Sequence, residues 1–384
     1  MPANMNHKKL RRTLATLAVM TMATTAPAKD FWVYFGTYTN TLSRGIYFSR
    51  LDATTGKLST PDLAVATPSP SFLAVAPGEK FLYSGNTVAE FNGVSGGAVS
   101  AFAIDKTTGH LTLLNQKSSG GDDPCHVSVD KTGRVLFAAN YGTATVKSFR
   151  LNADGTLGAD GSLITEQGTS VNHDRQTAPH AHFACVDPGN RFALVCDLGA
   201  DKVFIYKIDT AAGTLAEHGF AALPPGSGPR HLVFSPDGHF VHVVNEMACT
   251  VSTFNWDADA GKMNLLETVS ALPPGLELTP AFTSAEIRST GDYLYVTLRG
   301  PDSVSVLAAD APSGKLKFVQ NVPAGGKVPR GLGIDPTHRW LITGNQRTDN
   351  VAVFAIDPQT GKLTATGQEF KVGSPVDVTF VSAD

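Results

Sequence analysis

Arg230 and Glu246 lie sixteen residues apart in the stretch Gly228-Pro229-Arg230-His231-Leu232-Val233-Phe234-Ser235-Pro236-Asp237-Gly238-His239-Phe240-Val241-His242-Val243-Val244-Asn245-Glu246. Apolar runs flank a Ser-Pro-Asp-Gly turn, and Pro and Gly occur only where the backbone must reverse, so the stretch reads as a two-stranded hairpin. A hairpin brings its ends together, so the guanidinium and the carboxylate are expected a few ångströms apart. His182, Arg299, Arg330 and Gln346 stand at corresponding places in other stretches of the same kind. Three arginines, one carboxylate and one imidazole on otherwise apolar strands make an anion site with a candidate base beside it. The segment His173-Asp174-Arg175-Gln176-Thr177-Ala178-Pro179-His180-Ala181-His182 arrives from the same side, and Arg175 and His180 are expected to lean over the site. Its His-x-His pair supplies too few ligands for a closed zinc site, so neither a metal nor another cofactor is expected. For any one of these charged side chains the plainer alternative is a rim ion pair that ties loops together, worth about 0–1 kcal/mol if exposed. His126 and His231, one place deeper, read as packed inward-facing residues. Glu286 and Arg288 either line the channel or pair with each other.

The elements that must position these residues form a repeat. Anchored on the last residue before each turn, the hairpin recurs at Ala76, Asp130, Asp187, Ser235, Arg288 and Asp335. Ten residues beyond the anchors stand Asn86, Asn140, Asp197, Asn245, Leu298 and Asn345. A third apolar strand follows each, as in Ala98–Ile104, Thr145–Leu151 and Asn350–Ile356, and then a Gly-x-Leu turn such as Gly155-Thr156-Leu157. Four strands in about 50 residues, with no helical periodicity, is the pattern of a propeller blade. Each blade exposes two apolar faces that only its neighbours can cover, so the array must close on itself. Phe31 to Leu58 match strands two to four of a further blade, and Ser374 to Val381 match the strand one that it lacks. The expected fold is therefore all-β: a seven-bladed β-propeller of four antiparallel strands per blade, its ring closed by the C-terminal strand joining the N-terminal blade. In such a ring every start of strand one and end of strand two faces one mouth. Five residues before the anchors stand Ser71, Cys125, His182, Arg230, Thr283 and Arg330; eleven after stand Thr87, Tyr141, Leu198, Glu246, Arg299 and Gln346. The charged groups thus come from blades four to seven, and the earlier blades offer small or neutral ones.

Composition excludes several classes. The 384 residues carry a formal net charge of -3, are 17% charged and 42% hydrophobic, and include 37 Gly and 23 Pro. No basic field argues for nucleic acid or a membrane surface. Residues 1–28 read as a signal peptide, with a basic head from His7 to Arg12, an uncharged run from Thr13 to Thr25, and Ala26-Pro27-Ala28 as the cleavage site. Residues 29–384 are then a single propeller domain, expected to be a monomer exported to a periplasm or the medium, with no membrane insertion once the signal is removed. Cys125, Cys185, Cys196 and Cys249 fit neither a disulfide framework nor a zinc pattern. Cys185 and Cys196 fall on neighbouring strands, by this register about four residues out of step, so free thiols are expected.

Asp174-Arg175-Gln176 leading to Pro179-His180-Ala181-His182, then Gly228-Pro229-Arg230-His231, Asn245-Glu246, Ala285-Glu286-Ile287-Arg288 and Pro329-Arg330-Gly331, resemble the lactonase family of seven-bladed propellers. That family includes the propeller-type 6-phosphogluconolactonases and the fungal carboxymuconate cyclase, and the resemblance spans roughly residues 31 to 381. It implies a hydrolase that opens an anionic, sugar-acid type lactone. In cyclase-type members it implies a histidine, two arginines and a glutamate at the funnel, which fall on His182, Arg230, Glu246 and, more loosely, Arg299. With an ordinary histidine pKa near 6.5, His182 is the expected base. Glu246 orients Arg230 or the imidazole, Arg230 meets the developing charge, and Arg299 and Arg330 bind the substrate anion together with Arg175, His180 and Gln346. A cycloisomerase acting on an unsaturated dicarboxylate, or a non-catalytic binding propeller at the cell envelope, are the alternatives.

Overall fold

The computed structural model describes residues 1–2 and 29–384; the signal peptide expected over residues 1–28 lies, apart from its first two residues, outside the described residues. Among the described residues the strands form seven four-stranded sheets and one two-stranded ribbon. Every sheet is antiparallel, and six are built from four strands consecutive along the chain, the ribbon of blade two aside. The seventh, blade one, pairs the C-terminal strand Pro375–Ser382 with Phe31–Thr37, followed outward by Gly45–Leu51 and Asp62–Ala66. The ring is closed by the interlock of the two ends that the repeat demanded.

Burial explains why closure is required. The buried apolar side chains fall into seven clusters, and each draws its members from two adjacent blades. No blade has a core of its own, so each sheet is stable only between two neighbours. The cluster joining blades one and seven unites Phe31, Val33 and Phe35 with Trp340, Ile342 and Val351. Buried polar side chains stitch the turns: Asp130, Asp187 and Asp335 accept backbone N–H groups four and five residues ahead at 2.6–2.8 Å.

Five inner strands share one irregularity. Pairing with the second strand slips between Pro70 and Phe72, Pro124 and His126, Ala181 and Phe183, Pro229 and His231, and Pro329 and Gly331. The residues left over are Ser71, Cys125, His182, Arg230 and Arg330. In blade one the slip leaves over Val376. A bulge residue belongs to neither face of its sheet, so its side chain is free to point along the axis toward the mouth instead of into the next blade.

Blade six corrects the sequence register. Its slip falls between Ser284 and Ile287, and its turn is closed by Thr290 N–H on Tyr293 O, where blade five uses Ser235 and Phe240. The turn is two residues shorter, so the residue before it is Thr290 rather than Arg288. The residue equivalent to Arg230 is therefore Ala285, not Thr283. Arg299 keeps its expected place because the shorter turn offsets the misplaced anchor. The cysteine register is also closer than expected: Phe183 pairs with Cys196 and Cys185 with Leu194, so the two cysteines are two residues out of step, not four. All four thiols are free.

Trp340 tests whether the closing interface carries stability. It is buried against blade one, its indole N–H donates to Ala53 O at 3.0 Å, and a Cβ on the left-handed Gly56 would collide with its ring. Trp340→Ala should cost about 3–5 kcal/mol in urea unfolding, whereas Phe220→Ala, at a residue 55% exposed, should cost far less. Equal losses would mean that closure contributes little.

Candidate active site

The bulged residues and the ends of the second strands meet at one mouth, around a cavity of about 400 Å³. Tyr38, Thr87, Asp123, Cys125, Tyr141, Arg175, His182, Glu246, Arg299 and Arg330 line it. At its base Glu246 is 4% exposed and ion-pairs with three guanidinium groups brought by three different elements. Arg230 Nε, on the inner strand of blade five, donates to Oε2 at 3.0 Å; Arg299 Nη2, from blade six, lies 2.9 Å from the same oxygen as an ion pair. Arg175 Nη2, from the loop before blade four, donates to Oε1 at 3.1 Å and also reaches Tyr141 OH at 3.0 Å. Backbone carbonyls fix two of the arginines further: Arg230 Nη1 donates to Ala285 O at 2.7 Å and Arg299 Nη2 to Ser284 O at 2.8 Å.

Arg330 is different. Its guanidinium lies 5.7 Å from the centroid of the Tyr38 ring and makes no ion pair among the described residues. Arg175, Arg299 and Arg330, which line the cavity, and Arg230, buried against Glu246, thus face two carboxylates, Glu246 and Asp123, and the mouth carries surplus positive charge. Burial, then Arg330 and Arg299, push Arg230 down to about 10, still fully charged at neutral pH. An anion placed among these groups would relieve this crowding of like charge.

The two candidate bases have opposite resting states. Burial alone would raise Glu246, but Arg299 and Arg230 outweigh it and hold the carboxylate far below the ordinary glutamate range. Burial, then Arg230 and His231, hold His182 well below the ordinary value of 6.5, so its ring is neutral. This corrects the choice made on an unperturbed pKa: His182 is available as an acceptor, but because it is desolvated rather than because it titrates near neutrality. Its Nδ1 is buried without a hydrogen-bond partner, so the ring meets the cavity along the edge that carries Nε2. Glu246 directs its bonds to arginines and none to the imidazole. Burial pushes the Cys125 thiol up to about 12, which leaves no thiolate for nucleophilic attack.

His182, Arg230, Glu246, Arg299, Arg330 and Arg175 are therefore brought together as expected. Arg230 joins the cluster through Glu246 without lining the cavity, and two other expected residues are not at the cavity either. His180 stacks on Tyr141, with ring centroids 4.3 Å apart, and its Nδ1 meets Tyr141 O at 3.0 Å. Gln346 stands at the rim but does not line the cavity. Tyr38 and Asp123 were missed. Tyr38 directly follows the second strand of blade one, whose repeat is split between the chain ends; Asp123 precedes an inner strand in the left-handed conformation, φ 55°. Below the mouth, His126 and His231 are buried as expected, and Glu286 and Arg288 pair at 2.6 Å. Among the described residues no group of three or more His, Cys, Asp or Glu could hold a metal ion.

Fold and site together define a closed propeller whose axis carries an anion-accepting pocket. The chain belongs to the lactonase family of seven-bladed β-propellers, whose description, Lactonase, 7-bladed beta-propeller, matches residues 32–380. It is 35% identical over 348 residues to the 6-phosphogluconolactonase of Bacillus subtilis, covering 91% of this chain and 97% of that one. It is 31% identical over 309 residues to the 6-phosphogluconolactonase of Formosa agariphila, covering 79% and 85%. The structure is similar to that of the periplasmic gluconolactonase of Pseudomonas aeruginosa, with a TM-score of 0.86 and 32% identity over 92% of this chain and 100% of that one.

Glu246→Gln removes the charge that balances three arginines and should cost about 3–5 kcal/mol at neutral pH. The native carboxylate has a depressed pKa, so its contribution is complete above the unfolded value of 4.5 and is lost as the pH falls through the folded one. The stability gap between wild type and Glu246→Gln, read from urea unfolding, should therefore be constant near neutrality and close only at acidic pH. A gap that widens on acidification would contradict the ionised carboxylate.

Proposed function

We propose that the protein is a lactonase that hydrolyses the ring of an anionic, sugar-acid type lactone, as the names of its 6-phosphogluconolactonase relatives suggest for them. The observation that carries this reading is the cluster at the mouth: surplus guanidinium groups beside a neutral, buried imidazole. Arg330, the arginine with no ion pair, takes the substrate's own anionic group. Arg230 and Arg299 lie where the carbonyl oxygen gains charge. His182 accepts a proton from water through Nε2 as the water oxygen bonds to the carbonyl carbon. The tetrahedral oxyanion is held by the guanidinium groups. Its collapse breaks the ring C–O bond, and the imidazolium returns its proton to the departing alkoxide, giving the hydroxy acid. Glu246 stays ionised throughout; it orients Arg230 and Arg299, and its charge favours the transient imidazolium.

Hydrolysis is favoured over a cycloisomerase by protonation state. A cycloisomerase needs a proton donor at rest, whereas Glu246 is ionised and His182 neutral. Export is part of the same proposal: the basic head and uncharged run within residues 1–28 support it, as does the periplasmic description of one similar solved structure. Export also favours, over the phosphate ester, an unphosphorylated sugar-acid lactone whose anionic group is a second carboxylate.

A panel of sugar-acid and dicarboxylate lactones in ¹⁸O-labelled water tests this reading. One solvent oxygen should appear in the product acid, and His182→Ala should lower turnover by about 10²–10⁴. Turnover within threefold of wild type would remove His182 from the mechanism, and product without label would favour the cycloisomerase. The acid limb of kcat/KM should also lie well below pH 6.5, because the imidazole resists protonation. A limb centred at 6.5 or above would mean that His182 is not the base or is not desolvated.

A further inference from the structure

Beneath the cavity the residue after each bulge points into the channel, and together these form a second ring. Phe72, His126, Phe183, His231, Glu286, Gly331 and Asp377 occupy it, one from each blade. None of them touches the cavity above. Two nonetheless touch the active-site cluster or each other through hydrogen bonds. His231 Nε2 lies 3.2 Å from Arg230 Nη1, and His231 Nδ1 lies 2.8 Å from Glu286 Oε1.

We propose that Glu286 and His231 are positioning residues that lock Arg230 in place, by holding the His231 ring in the tautomer with its proton on Nδ1. A guanidinium has donors only, so the imidazole nitrogen facing Arg230 must present a lone pair. The single ring proton then sits on Nδ1 and is donated to the Glu286 carboxylate. This is the reverse of the tautomer that free histidine prefers in water. Glu286 is itself fixed: Oε1 also accepts from Arg288 Nη1 at 2.6 Å and from the backbone N–H of Ile287 at 3.0 Å. The His231 ring cannot swing aside, because Phe183, His182, His126 and Phe72 surround it at centroid distances of 4.9, 5.2, 5.3 and 5.7 Å. A protonated ring would aim an N–H at the guanidinium and displace it. Burial, followed by Arg230 and Arg288, disfavours that state. Arg230 is thereby held on three sides, by Glu246, by Ala285 O and by His231. Its exact aim would matter to an oxyanion, since a small misplacement of a positioning group can cost about 10²-fold in rate.

The tautomer can be read without activity, whereas the consequence for turnover rests on the hydrolase reading above. ¹⁵N NMR of the full chain labelled in its histidine rings, with His231→Gln to assign the signal, should show His231 neutral, Nδ1 pyrrole-like and Nε2 pyridine-like. A ring protonated on Nε2, or on both nitrogens, at neutral pH would overturn the proposal. In kinetics, His231→Phe should lower kcat for lactone opening by about 10-fold to 100-fold with little change in KM. His231→Gln, whose amide oxygen can accept from Arg230 while its NH₂ donates to Glu286, should recover most of that loss. A folded His231→Phe with unchanged kcat, or a His231→Gln no better than His231→Phe, would refute the positioning role. If the wild-type chain opens no lactone in the panel, the hydrolase reading falls, and the NMR signal alone decides this inference.

Discussion

One buried carboxylate governs the geometry of the mouth. Glu246 is almost wholly removed from water and would be untenable as a charge without the three guanidinium groups around it. Those groups arrive from a loop before blade four, an inner strand of blade five and a second strand of blade six, so the cluster forms only when these three neighbouring blades pack together. A buried ionic cluster of this kind is weak evidence for added stability, since apolar replacements of similar volume are often neutral or better. Its physical consequence is order: it fixes three arginines, two of which, Arg175 and Arg299, line the cavity where a small anion can meet them without further rearrangement.

The bulges explain how seven similar sheets yield an asymmetric site. Each inner strand is offset at nearly the same point, and the freed side chain is directed to the axis. What differs is only the residue placed there. Blades one, two and three supply Val376, Ser71 and Cys125; blades four, five and seven supply His182, Arg230 and Arg330. Blade six, offset differently and with Ala285 at this position, leaves room for the Arg230 guanidinium to reach its backbone carbonyl. The charged side chains thus gather on one side of a nearly symmetric ring, and His231 of the ring behind the bulges lies 3.2 Å from Arg230.

Most of the fold was legible in the sequence because a propeller repeats its turn chemistry. The third strands of blades two, three and seven begin and end where the apolar runs do. Arg230 and Glu246 were legible as a pair because a hairpin must join its ends. Arg288 misled because blade six has a shorter turn, and an anchor chosen on apolar pattern cannot register two missing residues. Tyr38 was hidden by the division of blade one between the chain termini. His180 and Gln346 show the limit of positional reasoning: a place on the rim does not determine whether a side chain turns inward or stacks on a neighbour. The protonation of His182 was not legible, since desolvation belongs to the assembled ring and not to any local stretch.

The proposed hydrolysis requires the mouth to hold the acid that a lactone yields. A crystal structure of the mature chain with gluconate bound measures this directly. The account predicts the gluconate carboxylate in the cavity, within hydrogen-bond distance of Arg230 or Arg299 and beside the Nε2 edge of His182. Gluconate bound away from the arginines, or at the opposite end of the channel, would contradict it.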